Sequence, residues 1–273
     1  MTASEAIVRA GQMLASARRV VVFSGSGLSA ESGIPTFRDE GGIWERFPQE
    51  DFAEVSGLIR MFLTQPDRLR AFVSEGIADA ARAKPNAAHL AIAELERHCE
   101  VTVATQNIDG LHQEAGSTQV HELHGSLFVL RCNRCGRRVD VSREELSDLS
   151  ERLAAPLPRL GQRTRLIRLV LPLLRRCPSC RGRMRPAIVF FGEQLPTEAW
   201  KAAQTASLRC EAMLVVGTSA QVYPAAMLPA LAHDVGSKIV VVTLDGSFVA
   251  PWADHTVVGP AAEVMPEILQ VVR

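Results

Sequence analysis

Six short β-branched runs punctuate the chain, at residues 19–24, 101–105, 187–191, 212–217, 238–244 and 255–258. Most are continuous apolar runs rather than alternations of apolar and polar positions. That is the pattern of strands buried on both faces, as in a parallel sheet. Helical periodicity lies between several of them. Ala88, Ala91, Ile92 and Leu95 repeat at i, i+3, i+4 and i+7 directly after Pro85-Asn86, which predicts a helix start. Strand–helix alternation predicts an α/β fold built on a doubly wound, Rossmann-like parallel sheet. Two stretches break the alternation. Residues 45–84 contain no good strand and read as helices and loops, and residues 131–185 are bracketed by cysteine pairs. The expected organisation is a sheet domain from residues 1–44, 85–130 and 186–273. The two insertions, 45–84 and 131–185, together build a smaller domain.

Composition narrows the class. Hydrophobic residues make up 47% of the 273 positions and charged residues 22%, which excludes disorder as the main state. No apolar run approaches the ~18 residues of a spanning helix. Residues 1–20 lack the apolar run and cleavage site of a secretory leader, so a soluble cytoplasmic protein is expected. The formal net charge is +0, from 30 basic and 30 acidic residues. It hides an asymmetry. Residues 131–185 hold 15 arginines, no lysine and 5 carboxylates, a net of +10 on a body of net −10.

The first strand runs straight into Gly25-Ser26-Gly27-Leu28-Ser29-Ala30-Glu31-Ser32-Gly33-Ile34-Pro35. A Gly-x-Gly after a strand is where a sheet meets a pyrophosphate. Gly25 is expected to permit a tight turn and Gly27 a close backbone approach, with amide groups at a helix start facing phosphate oxygens. The third glycine comes six residues after Gly27 rather than three, and no acidic residue closes a second strand about twenty positions on. This is not the dehydrogenase fingerprint.

The stretch from Gly25 to Arg38 resembles the signature of the sirtuins, NAD-dependent protein deacylases. The resemblance continues in the family's order over nearly the whole chain. It takes in Thr105-Gln106-Asn107-Ile108-Asp109-Gly110-Leu111-His112, Glu122-Leu123-His124-Gly125, two cysteine pairs, Arg185-Pro186 with Phe191-Gly192-Glu193, and Gly217-Thr218-Ser219. It implies removal of acyl groups from protein lysines, with NAD consumed as co-substrate, releasing nicotinamide and O-acyl-ADP-ribose. His124 is then the general base, an imidazole being titratable near neutral pH. Asn107 and Asp109, just past a strand end, bind nicotinamide and help expel it, and Gln106 and Ile108 lie with them. Gly25, Ser26, Gly27, Ser29, Ala30, Thr36, Phe37, Arg38 and Trp44 form the cofactor loop, with Phe37 shielding the reacting ribose carbon from water. Gly217, Thr218, Ser219, Thr243, Leu244, Asp245 and Ala261 hold the adenosine side. Val189, Phe190, Phe191, Gly192 and Glu193 take the substrate peptide as an added strand.

Cys132-x-x-Cys135 and Cys177-x-x-Cys180 suit one four-thiolate structural zinc. Disulfides compete for the same residues but do not suit a cytoplasmic NAD protein. With no open position, the zinc is expected to hold a small domain lacking its own core. Cys99 and Cys210 each flank a strand and are expected to be buried, inert thiols. Residues 136–176, between the pairs, exceed the family's usual spacing. Ser142 with Glu145 fits a capping box ahead of Leu146, Leu149 and Leu153. Leu166, Leu169, Val170, Leu173 and Leu174 make a second stripe, broken by Pro172 and decorated by Arg163, Arg165, Arg168, Arg175 and Arg176. These arginines are either a solvated face or a surface for an acidic partner. The insert holds no aromatic to stack on bases, which disfavours nucleic acid.

Three departures qualify the resemblance. Sirtuins that remove acidic acyl groups carry a Tyr and an Arg where this chain has Val73 and Gly76, so neutral acyl groups are expected. Thr243 replaces a usual Asn near the adenosine ribose, and Ser26 replaces a usual Ala. Two other readings stay open at this point: an ADP-ribosyltransferase or NAD hydrolase on the same fold, and a non-catalytic NAD-sensing interaction module.

Overall fold

Strands β1 (Arg19–Ser24), β2 (Glu100–Thr105), β3 (Val120–Glu122), β7 (Ala212–Val216), β8 (Lys238–Thr243) and β9 (His255–Val258) form one parallel sheet. Its order is β3-β2-β1-β7-β8-β9. The chain winds outward to β3, then returns to the other side of β1, so direction reverses between β1 and β7. This computed structural model describes residues 2–155, 176–245 and 250–273. It divides into two units, one of Met1–Ile34, Lys84–His124 and Leu195–Arg273, the other of Pro35–Ala83 and Gly125–Gln194.

The continuous apolar runs have a direct cause in the sheet unit. Val20 and Val22 of β1, with Leu214, Val216, Val240 and Val242, pack under the helices Ala3–Ala15, Ala87–Leu95 and Ala261–Val272. Val21 and Phe23, with Met213, Val215, Ile239 and Val241, pack under Thr197–Ser207 and Leu228–Asp234. Both faces are covered, so neither register of the alternation is free to be polar. The helix Ala87–Leu95 starts at Asn86, whose side chain accepts from the N–H groups of Ala88 and His89 and donates to the main-chain oxygen of Leu28 at 2.8 Å. Among the described residues, no helix is long and apolar enough to cross a membrane.

The second unit is antiparallel. β4 (Gly125–Cys132) lies between β5 (Arg138–Asp140) and β6 (Met184–Ile188). Leu130, Cys132 and Met184 from this sheet pack with Ile77 of helix Pro66–Arg82 and with Leu146, Leu149 and Leu153 of helix Arg143–Ala154. The capping box of Ser142 and Glu145 starts that last helix. Phe47, Phe52 and Met61 form a further core with Phe72.

Three expectations are corrected here. The run 187–191 does not enter the parallel sheet; the strand is Met184–Ile188, and it pairs antiparallel with β4. That pairing groups residues 125–130 and 186–194 with the smaller unit, and residues 35–44 also belong there. The smaller unit does not lack a core, since the leucines of Arg143–Ala154 supply one. The stripe at Leu166, Leu169, Val170, Leu173 and Leu174, with Arg163, Arg165, Arg168 and Arg175, lies outside the described residues.

Candidate functional site

In an open α/β sheet, ligands bind at the carboxyl ends of the strands where the order reverses. In the sheet unit that point carries Gly25 after β1 and Gly217 after β7. Gly217 sits at φ +62, and a Cβ there would lie 2.1 Å from the Leu28 nitrogen. Gly25 is not the tight turn expected of it; its backbone is extended, at φ −140 and ψ −172. Glycine is required because a Cβ would meet Thr218 Cβ at 2.7 Å. The Gly27 N–H donates to the Gly217 oxygen at 2.9 Å. The two turns are thus pressed together. Residues Ser26–Ser32, including Ala30, form a 3₁₀ helix rather than the start of an α-helix.

His124 follows the fully buried Leu123, whose N–H donates to the Thr105 oxygen at 2.8 Å. The half-buried His124 ring places Nδ1 3.1 Å from the main-chain oxygen of Gln106. A carbonyl only accepts, so Nδ1 carries the proton and Nε2 holds the free lone pair. Burial pushes the imidazole below its ordinary range, partly offset by the bond to Gln106. At neutral pH His124 is therefore a neutral base.

Asn107 and Asp109 are buried and locked. Asn107 Nδ2 donates to the Gly25 oxygen at 3.1 Å and to Ser29 Oγ at 3.0 Å. Ser29 Oγ donates to Asp109 Oδ2 at 2.7 Å, and Asp109 Oδ1 accepts from the Leu111 N–H at 3.0 Å. Asn107 Oδ1 is left as the acceptor of that amide. Gln106 Nε2 donates to Thr218 Oγ1 at 2.8 Å. Ile108 is half-buried and Ser219 exposed. At the end of β8, Thr243 Oγ1 accepts from the Asp245 N–H at 3.2 Å, and Leu244 is exposed. Ala261 is buried, and the next N–H, of Ala262, donates to Glu31 Oε2 at 2.8 Å.

Sequence reasoning missed the layer beneath these residues. Ser24 Oγ donates to Thr105 Oγ1 at 2.9 Å, which leaves it to accept from His112 Nε2, also at 2.9 Å. Thr105 Oγ1 accepts the Asn107 N–H at 3.0 Å. Thr105 Oγ1 is thus a shared acceptor, joining the His112–Ser24 bonds on one side to the Asn107 backbone on the other. The His89 ring lies edge-on to His112, with centroids 5.1 Å apart. Burial drives His89 down to about 4 and His112 down to about 3, so both are neutral. His89 Nε2, His112 Nδ1 and Ser32 Oγ are buried without a partner. His89 three residues after its cap and His112 three after Asp109 are helix spacings visible in the sequence; that they meet is not. The topological switch point, the open Asn107 Oδ1 and His124 Nε2, and the partnerless Ser32 hydroxyl in the glycine loop fit a dinucleotide.

The smaller unit holds the other predicted residues. The Thr36 oxygen accepts from the Ile43 N–H and the Phe37 oxygen from the Trp44 N–H, so residues 36–44 fold back on themselves. The Phe37 and Trp44 rings lie 5.1 Å apart, and Arg38 is exposed. Residues 189–193 follow β6. Arg185 grips Glu193 through both carboxylate oxygens, at 2.6 and 2.8 Å, and donates to the Ile188 oxygen at 2.7 Å. Glu193 Oε2 also accepts from the Phe190 N–H, and Arg185 lies over the Phe190 ring. The pairing with Arg185 holds the Glu193 carboxyl below its usual range. Val189 is half-buried, Phe191 exposed, and Gly192 left-handed at φ +82.

Cys132, Cys135, Cys177 and Cys180 converge, with their Sγ atoms within 4.8 Å of one another. A tetrahedron with Zn–S bonds of about 2.3 Å has edges of roughly 3.8 Å, so the cluster fits one zinc ion. The two knuckles are built alike. Gly136 N–H donates to the Cys132 oxygen and Arg181 N–H to the Cys177 oxygen, and both donors are left-handed. Backbone N–H groups, chiefly that of Cys135, pull the Cys132 thiol down to about 6, while the crowded Cys180 and Cys177 sulfurs push the Cys135 thiol up to about 12. Burial instead pushes the Cys99 thiol up to about 11 and raises that of Cys210. Cys210 is buried and Cys99 only half-buried.

A family model described as Sir2 family matches residues 25–224. NAD-dependent protein deacylase 2 of Pyrobaculum aerophilum is 39% identical, with 96% of this chain and 94% of that protein aligned. The crystal structure of a Sir2 homologue–NAD complex has a TM-score of 0.75 at 35% identity, covering 97% of this chain and 93% of the other. The structure of Sir2Af2 bound to a myristoylated histone peptide has a TM-score of 0.69 at 34% identity, covering 98% and 96%. The match spans the glycine loop, the 105–112 segment, His124 and both cysteine pairs, and on this ground the chain belongs to the Sir2 family.

Proposed function

We propose that this protein removes acetyl or other neutral acyl groups from lysine side chains of proteins, consuming NAD and giving nicotinamide, O-acyl-ADP-ribose and free lysine. The sheet unit is the NAD-binding domain, and the smaller unit carries the structural zinc and the peptide segment. The cytoplasm, where thiols stay reduced, is the compartment.

NAD supplies, when bound, a ribose carbon activated by its nicotinamide leaving group. Everything else is the work of this chain. The observation that carries the reading is the His124 tautomer, since its Nε2 is free to take a proton from a ribose hydroxyl. Asn107 and Asp109 orient the nicotinamide carboxamide, one as acceptor and one as carboxylate, from a frame Ser29 makes rigid. Ser26, Gly27, Ala30, Gln106, Thr218 and Ser219 line the phosphates and ribose, and Thr243 to Asp245 with Ala261 the adenosine. Phe37, in a loop with Thr36, Arg38 and Trp44, is the apolar group that by family resemblance serves to exclude water. Val189 to Glu193 add the peptide as a strand. Val73 and Gly76, on helix Pro66–Arg82, offer no cation to an acidic acyl group.

The test incubates the protein with NAD and a panel of acetyl-, longer acyl- and succinyl-lysine peptides. Nicotinamide, deacylated peptide and O-acyl-ADP-ribose are measured together. The three should appear in equal amounts with neutral acyl groups. His124→Ala should lower turnover about 10²- to 10⁴-fold, and the acid limb of the rate should fall below the usual histidine range, because burial lowers its pKa. Nicotinamide release without deacylated peptide would replace the reading with ADP-ribosyl transfer or NAD hydrolysis.

A further inference from the structure

The sheet of the smaller unit has two unlike faces. Leu130, Cys132 and Met184 turn inward to the leucine core. Strand alternation turns Arg131 and Arg183 the opposite way. Arg138 is the cross-strand partner of Arg131, and Arg176 bridges Arg183, so these four share the outer face. All four are exposed. Arg185 also pairs with Arg131 in register, but its guanidinium is committed to Glu193.

Like charges directly opposite one another destabilise a sheet, and here they occur at two successive cross-strand positions. Among the described residues, none of these four arginines has a carboxylate partner. Residues 156–175 cannot supply one either, for they contain five arginines and no Asp or Glu. Arg134, Arg137 and Arg181 are exposed on the knuckles beside them. A zinc tetrathiolate would bring two negative charges against these seven guanidiniums, and Asp140, on the same face of β5 as Arg138, a third, so a positive excess still remains.

We propose that this arginine face docks an acidic segment of the protein substrate, in cis with the acyl-lysine; the proposal rests on the deacylase reading. Two observations favour protein over nucleic acid. The face presents no exposed aromatic side chain for base stacking. It is also continuous with the peptide segment, because Arg183 directly precedes β6, and β6 carries Arg185 at its start and runs into Val189 at its end. At about 3.3 Å per residue, Arg183 lies roughly 20 Å of strand from Val189, so the acidic stretch should sit about six or more residues from the lysine. Guanidinium forks suit carboxylates bidentately.

The experiment compares one acetyl-lysine peptide carrying six glutamates, six residues away on either side, with the same peptide carrying serines. For the wild-type protein at low salt the glutamate tail should lower KM at least about fivefold with kcat unchanged, and 0.5 M salt should erase the gain. Replacing Arg131, Arg138, Arg176 and Arg183 by Gln should abolish the gain while leaving KM for the serine peptide unchanged. The four Lys replacements should restore most of it. Zinc content and melting temperature check that the variants fold. Binding of the labelled glutamate peptide without NAD is read by fluorescence anisotropy, so the docking is testable even if no peptide turns over. Turnover of both peptides with equal KM, or equal binding by wild type and the Gln variant, would overturn the proposal while sparing the deacylase. Tighter binding of a 20-base-pair duplex than of the glutamate peptide would overturn it in favour of nucleic acid. Binding that the Gln variant loses, with no peptide turned over, would sink the deacylase reading and with it the assignment of the acidic segment to a deacylation substrate.

Discussion

In the sheet unit, Val20 and Val22 pack under one layer of helices and Val21 and Phe23 under the other. In the smaller unit, β4 sends Leu130 and Cys132 inward and Arg131 outward. The first sheet is insulated on both faces and keeps its chemistry at the strand ends, where buried dipoles can be fixed. The second has one dry face, a cluster of four cysteines and a charged surface. All seven histidines lie in the first unit and all four converging cysteines in the second. The two units should therefore respond to different insults.

Zinc removal should produce the largest effect and should confine it to the smaller unit. Structural zinc in small peptides is worth about 10–16 kcal/mol in apparent binding; a unit with its own leucine core depends on it less. Cys177→Ser, or chelation, should still abolish hydrogen-exchange protection in β4 to β6 while β1, β7 and β8 keep theirs. Metal analysis should give one zinc per chain before treatment. Equal loss of protection in both sheets would break the distinction.

Acid should act on the other unit through His89 and His112. Their folded values, about 4 and about 3, lie below the ordinary 6.5 of a free imidazole. The stability they contribute is present above about pH 6.5 and is lost as pH falls through that window, because the unfolded chain takes up protons first. A shift of this size corresponds to roughly 3 kcal/mol for His89. Thermal melts from pH 7 to 4 should show the sheet unit weakening, and His112→Phe should flatten the slope. An unchanged slope would mean that other groups drive acid unfolding.

The smallest expected effect lies at Arg185. Arg185→Lys keeps the charge but loses the fork that holds both Glu193 oxygens and the Ile188 carbonyl. KM for peptide should rise about threefold, with KM for NAD and kcat unchanged, the cost of one or two weakened charge-assisted bonds on a partly exposed loop. A rise in KM for NAD would show that this segment also serves the cofactor.

Much of this was legible in the sequence because it is local. Continuous apolar runs announced strands buried on both sides. Asn86 and Ser142 announced helix starts, and the cysteine spacing announced two knuckles. The run at 187–191 misled because β-branched residues fit any pleated sheet, and only the partner strand decides which. Gly25 misled because a glycine after a strand can serve its own turn or a neighbour's approach, and Thr218 lies 193 residues further along the chain.

The sequence by itself determined most of the elements, the two cysteine pairs as candidate metal ligands and, through its family resemblance, the candidate base, since each is carried by a short local motif. Only the tertiary structure decided which nitrogen of His124 is free, because the Gln106 carbonyl comes from another strand end. It alone set Asn107 on a chain of bonds reaching back to His112. It alone turned a net charge of zero into an arginine face, since charges add along a chain but act across a surface. Those outcomes depend on groups far apart in sequence and a few ångströms apart in space, where hydrogen bonds and charges act.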